Sequence, residues 1–178
     1  LAVVAGLLAL AASPASAASN LVISQIYGGG GNAGATYTHD FIEVFNRGTT
    51  NINLNGWSVQ YASATGTTWQ VTNLSGTLLP GRYYLVQEAQ GAGGTTDLPA
   101  ADAIGTINLS STDGKVALVS DNVLMSGICP GGPALVDLLG YGSANCSESS
   151  AAPALDNLTA SFRDTHGCDE TNNNSADF

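Results

Sequence analysis

Apolar residues in this chain recur at every second position in short runs, and Gly, Asn, Asp or Pro ends each run within a few residues. After the N-terminal segment, no stretch keeps a helical period for three turns. A period of two sends successive side chains to opposite faces, so each run reads as a strand with one wall on a core. "LVISQIY" (21–27) comes first, then the Gly-rich "GGGGNAGATY", then "DFIEVFN" (40–46). Asn55-Gly56 is a tight-turn dipeptide whose second residue tolerates positive φ. In the strand that follows, Trp57, Val59 and Tyr61 share one face, and Ser58, Gln60 and Ala62 share the other. That alternation predicts one wall on the core and one in water.

The second half repeats the pattern. "TTWQVTNL" reads as a strand, and Pro80-Gly81 is a turn leading into Tyr83 to Val86. "INLSSTDGKVALVSD" reads as a hairpin over Asp113-Gly114, followed by strands in "LVDLLGYG" and "LTASFRD". Seven to nine short strands with turn signals at near-regular spacing predict an all-β sandwich. Residues 87–103 form the longest connecting loop.

Composition sets the surroundings. A chain of 178 residues is the size of one domain and buries roughly 70% of its unfolded surface, enough for a core without metal. Four basic against 14 acidic residues, net −10, disfavour direct nucleic-acid binding and anionic membrane surfaces, which rely on clustered Lys and Arg. "LAVVAGLLALAASPASAAS" has an apolar run followed by Ala15, Ser16 and Ala17, the pattern of a partial signal peptide over 1–17 with cleavage after Ala17. The run is too short to span a bilayer. The expected compartment is secreted, hence oxidising. Among Cys129, Cys146 and Cys168 three single pairings are open. Cys129 with Cys146, 17 positions apart around "ALVDLLGYG", is favoured and leaves Cys168 over. Closing such a loop stabilises by roughly 3 kcal/mol on the chain-entropy model.

The residues with chemistry to offer are few. Phe41, Glu43 and Phe45 point one way from their strand. A general acid or base needs a second ionisable group converging on it in a cleft, and the local sequence supplies none. Glu43 is therefore expected on a solvent-facing edge or paired with Arg47, Arg82, Lys115 or Arg163. His39 beside Asp40 is expected at a strand entry, and Asn46 as a side chain bonding the turn it opens. Gly29 to Gly34 matches G-x-G-x-x-G, but a strand follows instead of a helix, so a flexible loop is expected and not a phosphate cradle. In the acidic tail, Asp169, Asn172 and Asp177 are candidate oxygen ligands for Ca²⁺, although the spacing fails the EF-hand loop.

Several of these stretches, in order, resemble one family. "DFIEVFNRGTTNINLNGWSVQY", "LPGRYYLV" and "GKVALV" are similar to the lamin-tail domain. The likeness is strongest to its bacterial secreted type, which opens like "LVISQIYGGGGNAGATYTHDFIEVFN", and it covers residues 20–178. The resemblance implies an immunoglobulin-like β-sandwich of 18–178 with no active site of its own. Bacterial relatives commonly sit at the N-terminus of secreted nucleases or phosphoesterases, or beside other extracellular modules. The family's Glu-x-x-Asn pattern falls on Glu43 and Asn46, and its Gly-Trp pair on Gly56 and Trp57, all with structural roles. Similar proteins run on past the point where this chain reads "DETNNNSADF", so a C-terminal truncation is expected.

Three roles follow. The first is a secreted, non-catalytic module, with no cofactor, that binds a protein or cell-surface partner or positions a neighbouring domain. The second is the N-terminal part of an extracellular metal-dependent nuclease or phosphoesterase whose catalytic domain lies beyond Phe178. The third is a calcium-stabilised surface module.

Overall fold

The computed structural model describes residues 19–178. The expected signal segment 1–17 and its cleavage site lie outside the described residues. Eleven strand segments form: β1 (Leu21–Tyr27), β2 (His39–Asn46), β3 (Ile52–Asn53), β4 (Ser58–Ala62), β5 (Gln70–Asn73), β6 (Thr77–Leu78), β7 (Tyr83–Gln90), β8 (Ala103–Ile104), β9 (Gly114–Val119), β10 (Leu135–Tyr141) and β11 (Ser161–Phe162). Two single turns of helix follow, α1 (Asp164–Gly167) and α2 (Asn174–Asp177). Four strands, β3, β6, β8 and β11, are two residues long, so seven longer ones carry the layers.

They build a five-stranded sheet ordered β11-β1-β2-β7-β8, a four-stranded sheet ordered β10-β9-β4-β5, and a small β3-β6 ribbon. Every strand pair is antiparallel except β7 with β8. Ile42, Val44, Tyr84 and Val86 of the first sheet meet Val59, Tyr61, Val116, Leu118 and Leu139 of the second in one buried cluster. This is the immunoglobulin-like sandwich that the alternation and the resemblance predict. Each aliphatic side chain so buried contributes about 1.5–3 kcal/mol relative to exposure.

Two bulges decide what happens at one side of the sandwich. In β1 the register against β2 shifts between Ile23 and Gln25, leaving Ser24 as the extra residue. The bulge switches parity, so Leu21 and Ile23 before it and Ile26 after it all reach the core. In β10 the register against β9 shifts between Leu135 and Asp137. β11 covers β1 only at Gln25 and Ile26, so the backbone of Ile23 needs partners from elsewhere. Asp137 Oδ2 accepts from Ile23 N–H at 2.6 Å, and Arg163 Nε donates to Ile23 C=O at 2.8 Å. Side chains thus stitch the outer edge of one sheet to the other.

The predicted turns form. Trp57 N–H donates to Leu54 C=O at 3.0 Å around Gly56, whose φ is +84°. Arg82 N–H donates to Leu79 C=O at 3.2 Å around Gly81, at φ +66°. Other expectations are corrected. Residues 107–121 are not a hairpin: β9 begins at Gly114 and pairs with β4 and β10. Ile107 and Leu109 are buried ahead of it, on segments that bond to β7 and to Asp40. Alternation located the apolar side chains but could not say which sheet they serve. The glycine run is not a loose loop either. Gly28 to Gly31 are buried, and any side chain on Gly30 would collide with the backbone of His39 and Asp40. Trp57 is only partly buried against the main core, whereas Trp69, 2% exposed, anchors a second cluster on the far side of β4.

Candidate functional site

Glu43 sits on β2, which has β1 on one side and β7 on the other. Its residue partners are Gln25 and Leu85, so the expected edge position is corrected. Nor does it pair with a cation. Ser24 Oγ, on the bulge, donates to Glu43 Oε1 at 2.8 Å. Aromatic pairs cover the same face to either side. Phe41 stacks on Tyr27 at 5.6 Å between centroids, and Phe45 stacks on Tyr83 at 4.6 Å. Burial raises the Glu43 carboxyl pKa, and the Ser24 hydrogen bond partly lowers it again. The hollow beside it, about 180 Å³, is lined by Ser24, Tyr83, Phe162 and His166 among others. His39 is not in that lining. Its Nδ1 lies 2.9 Å from Thr38 Oγ1 at the start of β2, as a strand-entry residue.

Asn46 is fully buried and ties two turns together. Its Nδ2 donates to Thr50 C=O at 2.9 Å and Leu78 C=O at 3.1 Å, while Oδ1 accepts from Gly48 N–H at 3.0 Å. Two carboxylates inside the sandwich serve the same purpose. Asp40 accepts from Gly30 N–H at 2.8 Å and Leu109 N–H at 2.9 Å, and Glu88 accepts from Ile107 N–H at 2.8 Å. Burial raises each to about 7 against these hydrogen bonds.

The face of β4 expected in water is roofed. Ser58, Gln60 and Ala62 are all buried beneath residues 121–134. Ser58 Oγ donates to Asp121 C=O at 2.8 Å, Gln60 Nε2 donates to Val123 C=O at 3.0 Å, and Met125 N–H donates to Gln60 Oε1 at 2.9 Å. Trp69 Nε1 donates to Gly127 C=O at 3.0 Å. Lys115 is buried, and its Nζ donates to Gly66 C=O and Ile128 C=O, both at 2.8 Å, and to Asn145 Oδ1 at 3.0 Å. Burial lowers its amine pKa, and the Trp69 ring lies 5.6 Å from the nitrogen. The Cys129–Cys146 disulfide, as favoured, pins the end of the roof, and Cys168 is free and exposed. With its backbone held from below, the roof turns Val123, Leu124 and Ile128 outward, 69%, 51% and 51% exposed. No sequence signal distinguished this roof, because its bonds join backbone groups to side chains some 60 residues away.

The third assembly centres on Arg163, whose guanidinium is wholly buried. Nη2 meets Asp137 Oδ2 at 2.8 Å, and Nη1 meets Glu170 Oε2 at 2.6 Å and Asp177 Oδ2 at 3.3 Å. The tail residues named as Ca²⁺ candidates do not act together. Asp177 is buried and spent on Arg163 and Thr171, whose N–H and hydroxyl both donate to it, while Asp169 is exposed. Instead, among the described residues, Asp137, Glu148 and Glu170 bring carboxylate oxygens within 4.8 Å of one another. Burial first, then like charge, raises Glu148 to about 8, and burial raises Asp137 to about 6 against the pull of Arg163.

A family model described as Lamin Tail Domain matches residues 14–132. Among solved structures, one similar chain is a DUF4876 family protein from Bacteroides thetaiotaomicron, at 13% identity and a TM-score of 0.47. The match covers 72% of this chain and 55% of that one, so this chain spans little more than half of its length. No curated protein matches.

Proposed function

This chain belongs to the lamin tail domain family, and on that premise we propose that it is a secreted, non-catalytic β-sandwich module. It holds a protein or cell-surface partner, or positions a neighbouring domain, through the exposed side of the 121–134 roof. The supporting observation is the roof itself. Its backbone is fixed by Ser58, Gln60, Trp69, Lys115 and a disulfide, yet three of its aliphatic side chains face out. A rigid platform that displays apolar groups suits recognition, since little order remains to be gained on binding. Secretion is supported by the disulfide, which persists in oxidising compartments. The absence of catalysis is supported by Glu43, Asp40 and Glu88, whose shifted carboxylates each already accept a hydrogen bond from a backbone N–H or a side chain of the fold.

Two measurements test the proposal. The purified chain, given plasmid DNA or a bis-aryl phosphodiester with Mg²⁺, Mn²⁺ or Ca²⁺, should show no turnover. Turnover abolished by Glu43→Gln would overturn the non-catalytic assignment. Expressed from its gene in the native host, the protein should be recovered outside the cell with its N-terminus at Ala18. Retention in the cytosol with residues 1–17 intact would overturn the secreted one.

A further inference from the structure

We propose that Asp137, Glu148 and Glu170 form a Ca²⁺ site that joins β10, the segment after Cys146 and the C-terminal tail. The first ground is an oxygen with nothing to bind. Asp137 has a side chain only 1% exposed, and its Oδ2 is taken by Ile23 N–H and Arg163, while its Oδ1 is buried with no hydrogen-bond partner. An orphaned buried carboxylate oxygen is costly and calls for a ligand. Asp137 lines a cavity of about 170 Å³ together with Glu148 and Glu170.

The second ground is geometry. The three ligand oxygens lie within 4.8 Å of one another. Oxygens no further apart than this can share one cation, and a Ca²⁺ shell, with oxygens at about 2.4 Å and a flexible geometry, accommodates them. The cavity leaves room for water to complete the six to eight positions that Ca²⁺ takes.

The third ground is that the carboxylates are already oriented by other groups, as ligands usually are. Glu148 Oε2 accepts from Asn174 Nδ2 at 3.1 Å, and Asn174 Oδ1 in turn accepts from Gly140 N–H and Glu148 N–H. Glu170 Oε1 accepts from Asn172 N–H at 2.9 Å and its Oε2 from Arg163. Charge agrees, since Asp137, Glu170 and Asp177 already meet the single guanidinium of Arg163 and Glu148 adds a fourth carboxylate to the cluster.

The test uses the full chain stripped of metal, with Ca²⁺ alone as probe. Extracellular calcium modules bind at about 10⁻⁴ to 10⁻³ M. Addition of about 10 mM Ca²⁺ should therefore raise Tm by roughly 3–10 °C. Asp137 and Glu170 also hold Arg163, so their removal would confuse binding with folding. Glu148 does not pair with Arg163 in the structure, so Glu148→Gln should keep the metal-free Tm and lose most of the rise. Asp169→Asn should retain the full rise, because Asp169 is exposed and outside the cluster. Terbium luminescence should give an affinity at least tenfold weaker for Glu148→Gln. An unchanged wild-type Tm at 10 mM Ca²⁺, an equal rise in Glu148→Gln, or a larger response to Mg²⁺ than to Ca²⁺ would each overturn the assignment.

Discussion

Replacing Arg163 by Met keeps most of the side-chain length and removes the charge on which one edge of the sandwich depends. The guanidinium is fully buried and makes five hydrogen bonds: to the backbone of Ile23 and Asp169, and to Asp137, Glu170 and Asp177. Its Cζ also lies 4.6 Å from the centroid of the Phe178 ring. Taking away one partner of a buried ion pair costs about 3–5 kcal/mol, because the remaining charge stays desolvated. Three carboxylates are stranded here, so the upper half of that range is expected at pH 8. At roughly 2–4 °C per kcal/mol for a chain of this size, Tm should fall by about 8–20 °C. Urea unfolding followed by the fluorescence of Trp57 and Trp69 would show a lower midpoint with an unchanged slope. The loss should shrink as pH falls from about 8 to below about 6, as first Glu148, already raised to about 8, and then Asp137, raised to about 6, take up protons and stop repelling. Arg163→Lys should recover part of the loss, since it keeps the charge but not the fork. A loss under 1 kcal/mol, or one independent of pH, would refute the view that Arg163 holds the two sheet edges together.

Three further outcomes are expected. Reduction of Cys129–Cys146 opens a loop closed between positions 17 apart and should destabilise by roughly 3 kcal/mol, read as a lower Tm in reductant; Cys168→Ser should leave the reductant effect unchanged. Gln60→Leu removes both bonds that Gln60 makes to the roof, and should cost about 1–3 kcal/mol and speed limited proteolysis within 121–134; cleavage at the wild-type rate would count against pinning of the roof. Asp40 and Glu88 are raised from ordinary values of 3.8 and 4.5 to about 7, so the native state binds protons that the unfolded chain has released. Their contribution is complete below about pH 4 and is lost as pH rises to about 7, with a slope of up to about 1.4 kcal/mol per pH unit for each group. Glu88→Gln should flatten stability measured between pH 5 and 7.5, and an unchanged slope would show that Glu88 does not titrate there.

What the sequence determined by itself was local. Period-two alternation marked β1, β2, β4, β7, β9 and β10, because a strand's two walls are written in consecutive residues. Gly56 and Gly81 were legible as turn positions because positive φ selects glycine wherever it occurs. Flanking an apolar strand, Cys129 and Cys146 could be matched from spacing and compartment. Tertiary structure alone decided the rest. That Glu43 is central and half-buried follows from strand order, and that Ser58 and Gln60 lie under a roof follows from a loop folding back over β4. Arg163 meets Asp137 because β11 covers β1 only at Gln25 and Ile26, which leaves the outer side of Ile23 to side chains more than 100 residues away along the chain. A buried polar group takes its partner from whatever the fold brings within about 3 Å, and that distance is unrelated to separation along the chain.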